Sequence, residues 1–378
     1  MSESSLPLLH SPLHEVHIAL GAKMADFGGW EMPIEYPASI GGGVLAEHQA
    51  VRNAVGLFDV SHLGKALVVG AGARAFINSC FTNDLDRIAA GEAQYTLCCD
   101  ESGGVVDDLI QYLRSDEEVF LIPNASNTTE VVRRLQAAVP AGITVTNHHL
   151  DFAVIAVQGP RSVDVMKDLG LPHELEYMAF VDTTWSAPSG ESISLIVCRT
   201  GYTGEYGFEL LPSSDGALTL WKALSESAAK HGGRPCGLGA RDTLRTEMGY
   251  PLHGHELSLE ISPVQASANW AVGWKKENFW GRSALLVQRE AGAKRVLRAI
   301  TSLDRGIPRA GMELKSPSGD VVGVLTSGTF SPTLKVGIGL ALVDANFAVG
   351  DHLSLDVRGR VSEVVITKFP LVESHVRS

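Results

Sequence analysis

The chain has 378 residues, 45% hydrophobic and 20% charged, with a formal net charge of −12. That length exceeds what one hydrophobic core usually serves, so two or three domains are expected. The acidity argues against nucleic acid as the main partner, because phosphate backbones are held by clustered Lys and Arg, whereas a small anionic ligand needs only one or two local cations.

In chain order, the opening "MSESSLPLLHSPLH" lacks the basic segment and long apolar core of a secretory signal. No apolar run approaches the roughly 20 residues of a membrane span. A cytoplasmic protein without a membrane partner is expected. Cys80, Cys98, Cys99, Cys198 and Cys236 form an odd set without CxxC or Cys/His metal spacing, so buried reduced thiols are expected. Helical spacing over Gly42–Asn53 predicts a helix, "GLFDV" and "KALVV" two strands, and "GARAFINSC" a helix opening. "QYTLCCDESGGVVDDLIQYLRSDEEVFLIPN" reads as three strands split by turns. "ASNTTEVVRRLQAAV" follows as a helix with Ser126, Asn127 or Thr128 as its N-cap.

A comparable order recurs: strand "FAVIAVQGP", helix "RSVDVMKDLG", strand pair "SISLIVCRTGYTGEYGFELLP", helix "DGALTLWKALSESAAKHG". Strand pairs alternating with single helices suggest repeated α+β units, each a sheet covered by helices on one face. From about Arg295 the texture changes to short alternating runs split by Gly, Pro, Asp and Ser, the pattern of an all-β barrel or sandwich. The boundary is expected within Leu286–Arg295. This gives an interleaved α+β region over 1–285 and a barrel over 286–378.

Four stretches invite chemistry. In "ESGGVVDDLIQY", adjacent Asp107 and Asp108 point to opposite faces of a strand, so one is free to meet solvent while the other turns inward and needs a partner. In "RTGYTGEYGFELL", the glycines suit a close ligand approach or a hairpin turn. Glu209 there sits among apolar neighbours, where a charge must be paired. It suits an amino-pyrimidine edge or a guanidinium, with Arg199 or Arg241 as internal competitors. In "GLGARDTLRTEMG", Arg241 falls in the first helical turn, where it either grips a carboxylate ligand or pairs with Asp242 or Glu247. Asp59, Ser61 and His62 lie too close together in one segment to form a relay, and no GxSxG elbow exists. Neither nucleotide nor flavin fingerprints occur.

Taken together, "LHEVHIALGAKMADFGGWEMPIEY", "EHQAVRNAVGLFDVSHLGK", "YTLCCDESGGVVDDLI", "VQGP", "RTGYTGEYGFEL", "CGLGARDTLRTEMGYPLHGHEL" and "LTSGTFSPTLKVGIGLALV" resemble the glycine cleavage system T-protein family of aminomethyltransferases, in order and over nearly the whole chain. Leu63 stands where that family often has Met, and Tyr206 where an acid is usual. The resemblance implies an α+β, three-domain cloverleaf: two α+β domains around a folate channel plus a C-terminal all-β barrel. It implies transfer of a one-carbon unit from the aminomethyl-dihydrolipoyl arm of the H protein to tetrahydrofolate, giving ammonia and 5,10-methylene-tetrahydrofolate. It further implies Asp108 as catalytic, Glu209 on the pterin, Arg241 on the ligand's anionic part, and Tyr95, Asn124, Tyr202 and Leu63 along the folate pocket. Arg377 is implied, more loosely, at the glutamate tail. Tetrahydrofolate is then a co-substrate, and no metal is signalled. Two alternatives remain: a folate-dependent demethylase on the same fold, and a non-enzymatic folate-binding protein of iron–sulfur maintenance.

Overall fold

The computed structural model describes residues 7–377; residues 1–6, part of the N-terminal stretch read above, and residue 378 lie outside it. One sheet has five antiparallel strands in the order Glu92–Cys99, Val105–Ser115, Glu118–Ile122, Ala66–Gly70, Ile143–Asn147. Helices Ala73–Cys80 and Thr128–Ala138 cover one face, burying Phe76, Ile77, Val131 and Leu135 with Val68 and Leu121. A second sheet runs Phe180–Ser186, Ser192–Cys198, Gly207–Pro212, Ile155–Gln158, Gly56–Asp59, Arg234–Pro235. Its helix-covered face buries Val165, Trp221 and Leu224 with Ile155, Val157 and Phe208.

The uncovered faces turn toward each other. Tyr112 and Phe120 from the first sheet share a core with Phe58, Ala156, Ile196 and Leu211 from the second. Strand alternation does the sorting: Leu57, Ile155 and Val157 go to the helix side while Phe58, Val154 and Ala156 go inward. By the same parity Glu209, between Phe208 and Leu210, faces inward.

Several details differ from the sequence expectation. Gly56–Asp59 and Ala66–Gly70, neighbours in the chain, part into different sheets. Phe180–Ser186 forms an edge strand whose polar Asp182, Thr184 and Ser186 are outward and mask its strand character. The helix Arg282–Ala291 runs across the anticipated boundary at 286, and the barrel begins only at Arg295. A three-stranded sheet, Leu9–His10, Trp30–Glu35, Lys23–Phe27, precedes everything else. All five cysteines are buried and free. Among the described residues no helix is long and apolar enough to cross a membrane.

The C-terminal unit is a closed six-strand barrel, Arg295–Ser302, Val336–Asp344, Val321–Ser331, Glu313–Lys315, His352–Val357, Arg360–Thr367, filled by Ile300, Leu314, Leu325 and Ile366. It is tied to the rest by Glu247, fully buried on the helix Leu238–Met248. This carboxylate accepts from Arg52 Nη2 at 2.7 Å, from the Ser331 hydroxyl at 2.5 Å, and from the Thr333 amide and hydroxyl at 3.2 and 3.0 Å. Burial alone would raise its pKa, but His48, Arg52 and Ser331 outweigh that and hold it at about 2. Removing one partner of a buried pair leaves the other charge stranded, so Glu247→Ala is expected to cost about 3–5 kcal/mol in denaturant unfolding. The depressed carboxyl also sets a sign: its contribution is full above the ordinary value of 4.5 and is lost as pH falls toward about 2. Glu247→Gln should flatten that acid limb; an unchanged midpoint and limb would show that the barrel is held elsewhere.

Candidate active site

Between the inner sheet faces lies a cavity of about 360 Å³, and Leu63, Tyr95, Asp108, Asn124, Tyr202, Glu209 and Arg241 all line it. Strand register explains the first pair. Leu97 lies opposite Asp108 in the antiparallel pair, and Tyr95 is two residues from Leu97 on the same face. The Tyr95 hydroxyl donates to Asp108 Oδ2 at 3.0 Å.

Neither aspartate of the pair is in bulk solvent, contrary to one sequence possibility. Asp107 is fully buried and accepts from the Asn124 amide at 3.0 Å, Asn124 Nδ2 at 2.9 Å and Asn127 Nδ2 at 2.7 Å. Asn124 Nδ2 also reaches Asp108 Oδ1 at 3.0 Å and the Asp108 carbonyl at 2.8 Å. Asn127 is the N-cap of the helix Thr128–Ala138, yet its side chain makes no capping bond; it is committed to Asp107 instead. Burial, then the charge of Asp108, pushes Asp107 well above the usual carboxylate range. Burial also raises Asp108, while His253, Tyr95 and Asn124 favour its charged form.

Across the cavity Glu209 accepts from the Thr200 hydroxyl. Burial raises its carboxyl, against Thr200 and the charge of Arg241. Its sequence competitors are engaged elsewhere. Arg199 lies over the Tyr206 ring, 3.2 Å from the centroid, and donates to the Gly207 carbonyl at 3.2 Å and the Val376 carbonyl at 2.6 Å. Asp242 pairs with Arg245, and Glu247 with Arg52. Arg241 is left without a carboxylate or hydrogen-bond partner among the described residues. Its guanidinium sits 4.3 Å from the Tyr202 ring centroid, and the Tyr202 hydroxyl donates to the Pro251 carbonyl. Arg241 and Tyr202 also line a second cavity, of about 510 Å³, whose far wall includes Arg309 and Ser327 from the barrel side.

The glycine-rich loop does something the sequence reading did not anticipate. A Cβ at Gly201 or Gly207 would collide with the Gln158 side-chain amide. That amide donates to the Thr200 and Phe208 carbonyls, both at 3.1 Å, and accepts from Thr203 at 2.8 Å. Two of the three glycines therefore make room for a bracket around Glu209; only Gly204 takes a left-handed φ, +83°. The Asp59 segment is structural: Asp59 accepts from Ser11 at 2.5 Å and from His17 at 2.9 Å, while burial and then Arg241 hold His62 neutral, at about 3.

Sequence reasoning passed over Thr200, His253, Tyr177 and Trp270, which also line the cavity. Trp270 stacks on Tyr95 with centroids 5.1 Å apart, and Arg377 lies 4.7 Å from the Tyr177 centroid. Aromatic pairs at unrelated chain positions carry no local signal. The whole suits a flat ligand with N–H donors at one end and negative charge at another.

Residues 13–276 match the GCVT N-terminal domain and residues 295–373 the glycine cleavage T-protein C-terminal barrel domain. The chain is 60% identical over 370 residues to an aminomethyltransferase of Parafrankia sp., covering 98% of this chain and 99% of that one. It is 56% identical over 373 residues to an aminomethyltransferase of Mycobacterium avium, covering 98% of each. The crystal structure of glycine cleavage system aminomethyltransferase T from Bartonella henselae superposes with a TM-score of 0.90 at 30% identity, over 98% of this chain and 100% of that one. The chain therefore belongs to the glycine cleavage T-protein family of aminomethyltransferases.

Proposed function

We propose that the 360 Å³ cavity is the transfer site, with Asp108 as the catalytic residue and Glu209, Arg241, Tyr95, Asn124, Tyr202 and Leu63 binding folate. The chain is an aminomethyltransferase, and its family uses tetrahydrofolate as substrate. The observation that carries the site assignment is the pairing, in one cavity, of an enclosed carboxylate of raised pKa at Asp108 with a guanidinium at Arg241 that has no partner among the described residues.

In this reading the lipoylated H protein presents an S–CH2–NH2 group and tetrahydrofolate presents two amine N–H groups. The carbon leaves sulfur and nitrogen and bonds to both folate nitrogens; the two N–H protons end on the thiol and on ammonia. Asp108 orients the attacking amine and takes its proton, and the proton is then passed to a departing group. Asn124 and Tyr95 fix the carboxylate's direction. Glu209 accepts from the pterin amino and amide edge, the Tyr95 and Tyr202 rings wall the ligand, and Arg241 meets its anionic part. The stacking of Arg377 on Tyr177, a cavity-wall residue, supports a role for Arg377 at the glutamate tail. The helix Arg282–Ala291 supports a folate-binding region that runs on to about residue 291, with the barrel after it. Free, buried cysteines support a reducing, cytoplasmic location.

Asp108→Asn is expected to lower kcat roughly 10²–10⁴-fold with little change in folate Kd, measured as methylene-folate formed from aminomethylated H protein. Glu209→Ala and Arg241→Ala are each expected to weaken folate binding by about 1.5–3 kcal/mol. Unchanged Kd in both would overturn the pocket assignment. The raised Asp108 carboxyl is active when deprotonated, so the acid limb of kcat should lie above the ordinary aspartate range. Tyr95→Phe removes a donor to the charged form and should move that limb higher still.

A further inference from the structure

We infer that His10, His14 and Glu31 form a binding site for one divalent transition ion of the zinc class. His10 and Glu31 are direct register partners in the parallel pair of Leu9–His10 with Trp30–Glu35. His14 opens the next helix and returns its imidazole to the same carboxylate. His14 Nε2 lies 2.7 Å from Glu31 Oε2, and His10 Nε2 lies 3.4 Å from the same oxygen. Among the described residues, this is the one trio of such donors whose ligating atoms all lie within 4.8 Å of one another.

A simple histidine–carboxylate hydrogen bond accounts for His14 alone. It does not account for His10, whose ring lies parallel to His14, with centroids 3.8 Å apart and planes at 1°, and points the same nitrogen at the same oxygen. Convergence of two imidazole nitrogens and one carboxylate oxygen is the donor set of a zinc site with one position left for water. Bonds of about 2.0–2.1 Å in a tetrahedron set ligand atoms about 3.3 Å apart. The His10 spacing already meets that; the parallel rings hold their Nε2 lone pairs side by side, so binding requires the two imidazoles to rotate out of the stack until both nitrogens aim at the ion. Glu15 Oε1, 3.4 Å from His14 Nδ1, is placed to orient the ligating ring from behind. His10 is 54% exposed, so the ion enters from solvent. None of the three lines either cavity. The ion is therefore a staple fastening residues 9–14 to the strand Trp30–Glu35, independent of the transfer reaction.

The test uses full-length protein stripped with EDTA and titrated with ZnCl2 by calorimetry at pH 7.5, with Co2+ as a spectroscopic substitute. One ion per chain is expected, with the visible bands of tetrahedral Co2+. Affinity should fall at least about tenfold in His10→Ala and in Glu31→Gln, with far-UV circular dichroism and aminomethyl transfer unchanged in His10→Ala. Failure of the wild type to bind overturns the inference. So does retention of full affinity and stoichiometry by His10→Ala, which would locate the ion elsewhere.

Discussion

Asn124 donates from a single side-chain nitrogen to both Asp107 and Asp108, and its backbone amide holds Asp107 as well. Two neighbouring carboxyls in one enclosed place repel each other and are both poorly solvated. The asparagines make the arrangement tolerable by satisfying Asp107 so fully that it stays out of the cavity. Asp108 is then the group left facing the ligand space, with its direction set by Tyr95 and Asn124. Moving Asn124 would disturb both acids together, because one side-chain nitrogen serves both carboxyls, whereas Asn127 serves Asp107 alone.

The same logic of satisfied burial runs through the rest of the molecule. Glu209 is bracketed by Thr200, and the loop bearing Thr200 is bracketed by Gln158. Glu247 gathers donors from the helix Val44–Asn53 and from the barrel. Arg245, fully enclosed, reaches Glu256 at 3.0 Å and Ser327 on the barrel at 2.8 Å. Against this background Arg241 stands out. Among the described residues it is the arginine of its helix that has no carboxylate at ion-pair distance, which is what an anion-binding group requires.

Much of the architecture was legible in the sequence. Alternation and turn residues revealed most strands of the two sheets and the all-β texture of the C-terminal unit, and helical periodicity revealed most of the helices. Of the seven proposed site residues, the residues themselves marked Glu209 and the Asp107–Asp108 pair, spacing left Arg241 undecided between a ligand and Asp242 or Glu247, and Tyr95, Asn124, Tyr202 and Leu63 came only through resemblance. Other features are non-local and escaped. Trp270 meets Tyr95 across 175 residues of chain, and the Gln158 bracket depends on glycines more than 40 residues away. Phe180–Ser186 escaped because an exposed edge strand needs no apolar alternation on its outer side. The histidine trio escaped because one donor comes from a strand opposite, which cysteine- and histidine-spacing patterns do not see.

The passage of Gly56–Asp59 into the second sheet, beside both Ile155–Gln158 and Arg234–Pro235, bears on how the chain is made. During synthesis this early segment emerges long before either neighbour exists, with four apolar-lined backbone positions and no ladder to join. Its first ladder must wait for about 100 further residues, to Ile155–Gln158, and its second for about 180, to Arg234–Pro235, so the second sheet closes only late in synthesis. Truncated nascent chains would expose that orphan ribbon, which makes it a natural point of chaperone capture.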